Sequence, residues 1–145
     1  MKAIDYFTPE QRERIKQAVH HAEMLTSGEL RVYIEDKCKI DVLDRAAFVF
    51  AEMMMHKTAE RNGVLIYLAL EDKKFAIIGD VGIHAKVGDN FWNTIKESMA
   101  EHFKNSRFTD GLIQGITEAG HALQQYFPRT DADRNELSDD IQFGK

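Results

Sequence analysis

The sequence predicts a three-layer α/β/α sandwich built on a small mixed β-sheet. Its periodic segments follow the order helix, strand, helix, β-hairpin, helix, helix, which is typical of helices packed on both faces of one sheet. Residues 64–70 are a continuous apolar run, which indicates a central strand covered on both faces. The chain has 145 residues, of which 43% are apolar and 30% charged, so it suits one domain with an ordinary hydrophobic core.

The first helix has a clear start signal. Thr8 is a capping residue, Pro9 suits the first helical position, and Gln11 stands where a capping-box partner belongs. An apolar stripe continues this helix to residue 25. Residues 29–35 then alternate between apolar and polar types, which predicts a half-buried strand towards a sheet edge.

The remaining elements follow from the same periodicities. Residues 44–59 have the wide apolar face of a helix, and residues 64–70 and 75–78 are joined by a short polar turn, as in a β-hairpin. Residues 91–103 predict another helix, and a last helix begins at 109–111 and stops before Pro128.

Two segments are predicted to lack long regular elements. Residues 80–90 are interpreted as a loop or one short helical turn. Residues 129–145 are polar, with five acidic and three basic residues, and are interpreted as a solvated or disordered tail. We therefore expect one domain over residues 1–128, followed by that tail.

Charge and cysteine content exclude several classes of protein. The net charge of −5 argues against a dedicated binder of nucleic acid or of anionic membranes. A single cysteine, Cys38, excludes an intramolecular disulfide framework and a multi-cysteine metal site. The N-terminus has no signal-peptide pattern, and no apolar run approaches the roughly 20 residues that span a bilayer. We expect a soluble, cytoplasmic monomer.

Acidic side chains are predicted to converge at one end of the sheet. The two hairpin strands are antiparallel, and a right-handed crossover makes the strands at 29–35 and 64–70 parallel. Glu29, Glu60, Asn62 and Asp80 then share one rim of the sheet. The loop that leaves Asp80 carries Asp89, and the last helix begins at Asp110, so we expect both to lie within reach of that rim.

Carboxylates that face one another repel at neutral pH, and a bound Ca²⁺ or Mg²⁺ relieves that repulsion. A simpler alternative remains open. Asp80 and Asp110 are also suited to capping helix starts, and Asp89 precedes a helix where an acidic group favours the dipole. The sequence contains no HExxH, Walker, GxSxG or GxGxxG motif.

Four segments in order resemble the TPM-domain family over residues 7–128. They are 27–32 (Ser-Gly-Glu-Leu-Arg-Val), 61–67 (Arg-Asn-Gly-Val-Leu-Ile-Tyr), 77–83 (Ile-Ile-Gly-Asp-Val-Gly-Ile), and Phe103 with 108–116 (Phe-Thr-Asp-Gly-Leu-Ile-Gln-Gly-Ile). The resemblance implies an α/β/α sandwich that binds divalent cations, chiefly calcium, in loops at one end of the sheet. Many relatives have Gly-Tyr-Gly-Leu-Glu where this chain has an acidic residue and altered glycine spacing, at residues 79–84.

The resemblance also ranks the ligand candidates. Asp89 falls where such relatives commonly have an aspartate and comes first, followed by Asp80, Asp110 and Glu29. The implied cofactor is one or two Ca²⁺ or Mg²⁺ ions.

The favoured function is a small cation-binding module that acts as a metal-responsive adaptor for an unidentified protein partner. The alternative is a metal-dependent acid phosphatase, as a thylakoid-lumen relative has been described. Arg61 and Arg107 are the only nearby cationic candidates for holding phosphate, and both are expected to be solvated. A third possibility is a structural interaction protein that uses the tail as a recognition segment.

Overall fold

A computed structural model of the chain describes residues 2–88, 90–129 and 141–144. Within these ranges it contains six α-helices, one 3-10 turn (Met55–Lys57) and four strands. The helices are α1 (Ala3–Tyr6), α2 (Pro9–Glu23), α3 (Val42–Glu52), α4 (Val81–Val87), α5 (Asn93–Lys104) and α6 (Phe108–Gln124). The strands are β1 (Glu29–Glu35), β2 (Gly63–Ala69), β3 (Lys74–Gly79) and β4 (Gln142–Phe143). Across the described ranges, no helix combines the length and the apolar character needed to cross a bilayer.

The sheet is mixed, with the strand order β3-β2-β1-β4. β1 and β2 are parallel, β2 and β3 form an antiparallel hairpin, and β4 lies parallel to β1. Glu29 is opposite Gly63, and Val64 is opposite Gly79, so the starts of β1 and β2 and the end of β3 share one rim. This is the arrangement that the crossover argument predicts.

Two hydrophobic cores lie on opposite faces of the sheet. Alternate side chains of β2 belong to different cores, as expected for a strand buried on both faces. The larger core contains Val64, Ile66 and Leu68 together with α2, α5 and α6, and the smaller one contains Leu65, Tyr67 and Ala69 together with α3. The predicted α/β/α class is confirmed.

Helix boundaries agree with the sequence prediction at the start of α2 and differ in α3 and α4. The capping box forms, because the Gln11 amide donates to Thr8 Oγ1 at 3.0 Å and the Thr8 amide donates to Gln11 Oε1 at 2.9 Å. The helix predicted over 44–59 instead ends at Glu52, because Met54 has a left-handed backbone with φ 57°. Residues 81–87 form a helix of two turns where a loop or one turn was predicted.

β1 is more buried than its alternating pattern predicts. Arg31 is only 2% exposed, and Glu35 is 8% exposed, because ion pairs neutralise both charges. β1 is also not an edge strand, since β4 covers its outer side through the pairs Tyr33–Gln142 and Ile34–Phe143. β4 falls within the predicted polar tail, and residues 130–140 of that tail lie outside the described residues.

Candidate functional site at one rim of the sheet

The rim formed by the starts of β1 and β2 and the end of β3 gathers polar residues from three chain segments. The Asp80 amide donates to the Gly63 carbonyl oxygen at 2.9 Å, and the Glu29 amide approaches the Asn62 carbonyl oxygen at 3.4 Å. Glu29, Asn62 and Asp80 therefore lie on one rim, as the topology predicts.

Asp80 is the rim carboxylate that lies between the end of β3 and the start of α4. It precedes α4, and its Oδ1 accepts a hydrogen bond of 2.8 Å from the Val81 amide. Arg61 donates two hydrogen bonds to the same carboxylate, from Nε to Oδ2 at 2.7 Å and from Nη2 to Oδ1 at 2.9 Å. This hydrogen bonding raises the pKa of the Arg61 guanidinium, because the carboxylate favours its charged form. Asp80 therefore caps a helix, as the simpler alternative proposed, and also forms an ion pair that the sequence did not predict.

The backbone holds Arg61 opposite Asp80. Arg61 has a left-handed conformation with φ 53°, which is uncommon for a residue with a side chain. Its carbonyl oxygen accepts a hydrogen bond of 2.9 Å from the Gly82 amide. A Cβ at Gly82 would lie 2.1 Å from the Glu60 carbonyl oxygen, so only glycine lets the start of α4 approach this turn so closely.

A second polar group on the rim involves Glu60, which is exposed. Ser27 Oγ donates to Glu60 Oε2 at 2.9 Å, and Asn62 Nδ2 donates to Ser27 Oγ at 3.3 Å. Asn62 is itself anchored, because its amide donates to Thr58 Oγ1 at 3.1 Å. The rim thus presents a solvent-accessible carboxylate beside hydroxyl and amide groups.

Glu29 belongs to a buried ionic cluster. Its Oε2 lies 3.0 Å from Arg31 Nη2, and Arg31 Nη1 also donates to Glu23, with all three residues only 2% exposed. The Leu30 amide adds a 2.8 Å hydrogen bond to Glu23 Oε2. The Arg31 guanidinium thus pairs with two carboxylates in the interior, and Glu29 is its partner at the rim.

Asp110 lies at the opposite end of the sheet, so the expectation that it joins this rim is wrong. α6 begins at Phe108, which lines a cleft with Leu70, the residue after β2. Past the end of α6, the Phe127 carbonyl oxygen accepts a hydrogen bond of 2.9 Å from the Ser27 amide at the rim. A helix of 17 residues spans about 25 Å, and this length separates Asp110 from the rim. The reason is that α5 first carries the chain along the sheet and α6 returns it.

Asp89 lies outside the described residues, between Gly88 and Asn90. Among the residues that are described, no group of three or more His, Cys, Asp or Glu side chains is arranged to hold a metal ion. A metal site at this rim that includes Asp89 therefore stays a prediction, and the described rim contributes the exposed Glu60 and the buried Asp80 as carboxylates.

A separate polar cluster lies at the far end of β1 and β2. The fully buried Tyr67 hydroxyl donates to Glu35, and Arg45 binds the same carboxylate with bonds of 2.8 and 2.9 Å. Burial and the bond to Glu35 raise the pKa of Tyr67. Burial alone would raise the pKa of Glu35, but hydrogen bonds from Arg45 and Tyr67 outweigh it and hold that pKa below its usual value.

Comparisons with known proteins agree with the resemblance seen in the sequence. A family model described as the TPM domain matches residues 2–122. The solution structure of the BA42 protein from the psychrophilic bacterium Bizionia argentinensis is 45% identical, has a TM-score of 0.90 and covers 96% of each chain. The N-terminal domain of a protein from P. gingivalis shares the fold, with 17% identity, a TM-score of 0.67, and coverage of 83% of this chain and 78% of that one. No curated protein matches the chain.

Proposed function

The chain belongs to the TPM-domain family, and from that premise we propose that it is a small divalent-cation-binding module. Its ligands come from the rim at which β1 and β2 start and β3 ends. The supporting observation is that two chain segments bring Asp80 and Glu60 to this rim, where Asp80 precedes the helix and loop that lead to Asp89. In this account the bound ion is Ca²⁺ or Mg²⁺, and the module responds to it by presenting an ordered rim to a protein partner.

The donor chemistry of the rim suits a hard cation. Ca²⁺ and Mg²⁺ bind carboxylate, hydroxyl and carbonyl oxygens, and the rim carries Asp80, Glu60 and the Ser27 hydroxyl. When bound, such an ion would neutralise acidic groups and lower the entropy of the neighbouring loop. It supplies binding energy only to the folded state, so it also stabilises the domain.

Arg61 acts as the competitor of the ion in this proposal. Its guanidinium occupies both Asp80 oxygens, yet 47% of the Arg61 side chain is exposed. Asp80 itself is only 6% exposed, so a cation reaches its carboxylate only when the exposed Arg61 side chain rotates into solvent and both bonds to Asp80 break. This competition predicts modest affinity and a response tuned by the Arg61–Asp80 pair.

The experiment is a Ca²⁺ and Mg²⁺ titration of the chelator-stripped protein, followed residue by residue through its amide NMR signals. We expect shifts at residues 60–62 and 79–90, and a weaker response in Asp80→Asn and in Asp89→Asn. Asp110→Asn is the matched control, because it removes one charge at the opposite end of the sheet. A response that survives in both rim variants, or that is lost equally in the control, would overturn the proposal.

The second candidate is the metal-dependent acid phosphatase, and the position of Arg61 favours it. The sequence supplied no clear cation for the phosphate group, but the structure holds a charged guanidinium directly beside Asp80. Guanidinium groups bind phosphate through paired hydrogen bonds. A metal ion bound at the rim would add charge stabilisation for phosphate chemistry, while Arg61 would orient the substrate.

Hydrolysis of an aryl phosphate distinguishes the two functions. A phosphatase should lose turnover in Arg61→Gln while this variant keeps its cation-induced amide shifts. Cation-induced shifts without turnover in the wild-type chain would leave the binding module as the function. Turnover that is unchanged in Asp80→Asn would reject catalysis at this rim.

A further inference from the structure

We propose that the outer edge of β1 is a strand-acceptor groove, which the C-terminal segment (residues 141–144) closes in cis. An extended segment of another protein would displace this C-terminal segment and pair with β1 in parallel. The pattern of that segment would be four consecutive residues: apolar, any, aromatic and glycine. This inference does not depend on cation binding at the opposite end of the strand.

The groove exists because β1 has a second hydrogen-bonding side. β2 pairs with all seven residues of β1 on one side, whereas β4 pairs with only Tyr33 and Ile34 on the other. The Gly144 amide adds one bond of 2.8 Å to the Ile34 carbonyl oxygen. A strand side of this kind is a template for an added strand, which is how several peptide-binding domains bind their ligands.

The contacts of the C-terminal segment define what the groove accepts. A Cβ at Gly144 would lie 2.7 Å from Glu35 Cβ and 2.9 Å from Tyr33 Oη, so this position requires glycine. Phe143 packs near Phe7, with ring centroids 6.3 Å apart. Both Ile141 and Phe143 pack against the larger core, while Gln142 is exposed. The pattern apolar, any, aromatic, glycine follows from these contacts.

The same contacts show that the segment is held weakly. It pairs through two residues, and its two apolar side chains are only partly buried. Segments with a short ladder and little buried apolar surface open most readily in native proteins. β4 is thus suited to exchange with a competing strand, in contrast to the fully buried β2.

An open cleft beside residues 141–143 favours a partner segment with a larger side chain than this chain provides. A cleft of about 500 Å³ lies between residues 141–143 and the helices α1 and α2, and its lining includes Ile4, Pro9 and Arg12. The chain's own side chains leave this space open. A partner segment with a longer apolar residue at the first position would fill it and compete with residue 141.

The test uses full-length chains and a labelled peptide with the sequence of residues 141–145, Ile-Gln-Phe-Gly-Lys. Gly144→Val should release the chain's own segment, and the peptide should then bind with amide shifts at residues 32–35. Wild-type protein should bind at least about tenfold more weakly, because its own tethered segment competes at a high effective concentration. A control peptide with valine in place of its glycine should not bind either protein.

Phe143→Ala is a second variant that should release the C-terminal segment, for use if Gly144→Val changes the structure outside that segment. The amide spectra show whether each variant is folded. Failure of the peptide to bind either folded variant at millimolar concentration would overturn the proposal. Shifts confined to residues outside β1 would overturn it as well. A wild-type dimer that Gly144→Val abolishes would identify a second copy of the chain as the occupant, and would overturn the assignment to another protein.

Discussion

Replacing Arg31 with methionine removes the guanidinium that lies between two buried carboxylates. Arg31, Glu23 and Glu29 are each only 2% exposed, and the Arg31 guanidinium contacts both carboxylates. Methionine keeps much of the side-chain length and apolar stem, so the variant mainly removes charge and hydrogen bonds. Two carboxylates then remain in the interior with one cation fewer.

Breaking a buried ion pair by removing one partner costs about 3–5 kcal/mol, because a charge is left uncompensated. Arg31 serves two carboxylates, so we expect the upper part of this range, about 4–5 kcal/mol. A domain of this size loses roughly 3–4 °C in Tm for each kcal/mol, which corresponds to a fall of roughly 12–20 °C.

The assay is urea unfolding followed by circular dichroism and by the fluorescence of Trp92, which is buried. Lys37→Met is the matched control, because Lys37 also pairs with a carboxylate, that of Glu71, but the two side chains are 59% and 48% exposed. Solvent screening limits the loss in that control to roughly 1 kcal/mol. A loss below about 1 kcal/mol in Arg31→Met, or one equal to the control, would refute the role of Arg31 as the neutralising charge of the cluster.

Three further predictions concern ionisation, packing and charge. The pKa of Tyr67 is raised by burial and by the bond to Glu35. The contribution of Tyr67 to the free energy of unfolding is therefore complete below about pH 10, the pKa of tyrosine in the unfolded chain, and it falls as the pH rises above that value. Tyr67→Phe should reduce this alkaline decline in urea midpoints between pH 8 and 11, and an unchanged decline would contradict the assignment. Gly82→Ala places a Cβ 2.6 Å from the Arg61 carbonyl oxygen, so it should cost about 1–3 kcal/mol of unfolding free energy despite better helix propensity; a neutral variant would contradict the packing argument. Arg61→Gln should strengthen Ca²⁺ binding in a calorimetric titration because it releases Asp80, and weaker binding would contradict the competition between Arg61 and the cation.

Hydrophobic periodicity predicts most of this fold. The apolar run at 64–70 predicts a strand covered on both faces, and the structure places its side chains alternately in two cores. The capping box at Thr8 and the hairpin at 64–78 are local signals, and the structure contains both. The parallel pairing of β1 and β2 follows from the helix between them, so the shared rim is also predictable.

Features that depend on distant partners are not predictable in this way. Arg31 occupies a position that alternation assigns to solvent, yet it is buried because Glu23, from α2, and Glu29 neutralise it. The order of segments alone predicts Asp110 at the rim, but the 12 residues of α5 cover about 18 Å and carry the chain to the opposite end of the sheet before α6 begins. β4 has two residues and therefore no periodicity to detect.

The shared rim is predictable from the sequence, but the partners of its residues are predictable only in part. The topology predicts Asp80 at the rim. It does not predict that the partly exposed Arg61 pairs with Asp80, which the register of β2 and β3 brings about. A useful signal was present in the sequence: Arg61 precedes the first residues of β2, and Asp80 follows the last residue of β3, its hairpin partner. When a residue just before the first strand of a hairpin and a residue just after its second strand carry opposite charges, the two can form an ion pair at the open end of the hairpin.

The most direct test of a cation site at this rim is a Ca²⁺ titration of Asp80→Asn alongside Asp110→Asn, monitored through the amide signals of residues 60–62 and 79–90. We expect Asp110→Asn to respond as the wild-type chain does and Asp80→Asn to respond only at much higher Ca²⁺ concentration. Equal responses in the two variants would contradict the assignment of the cation to this rim.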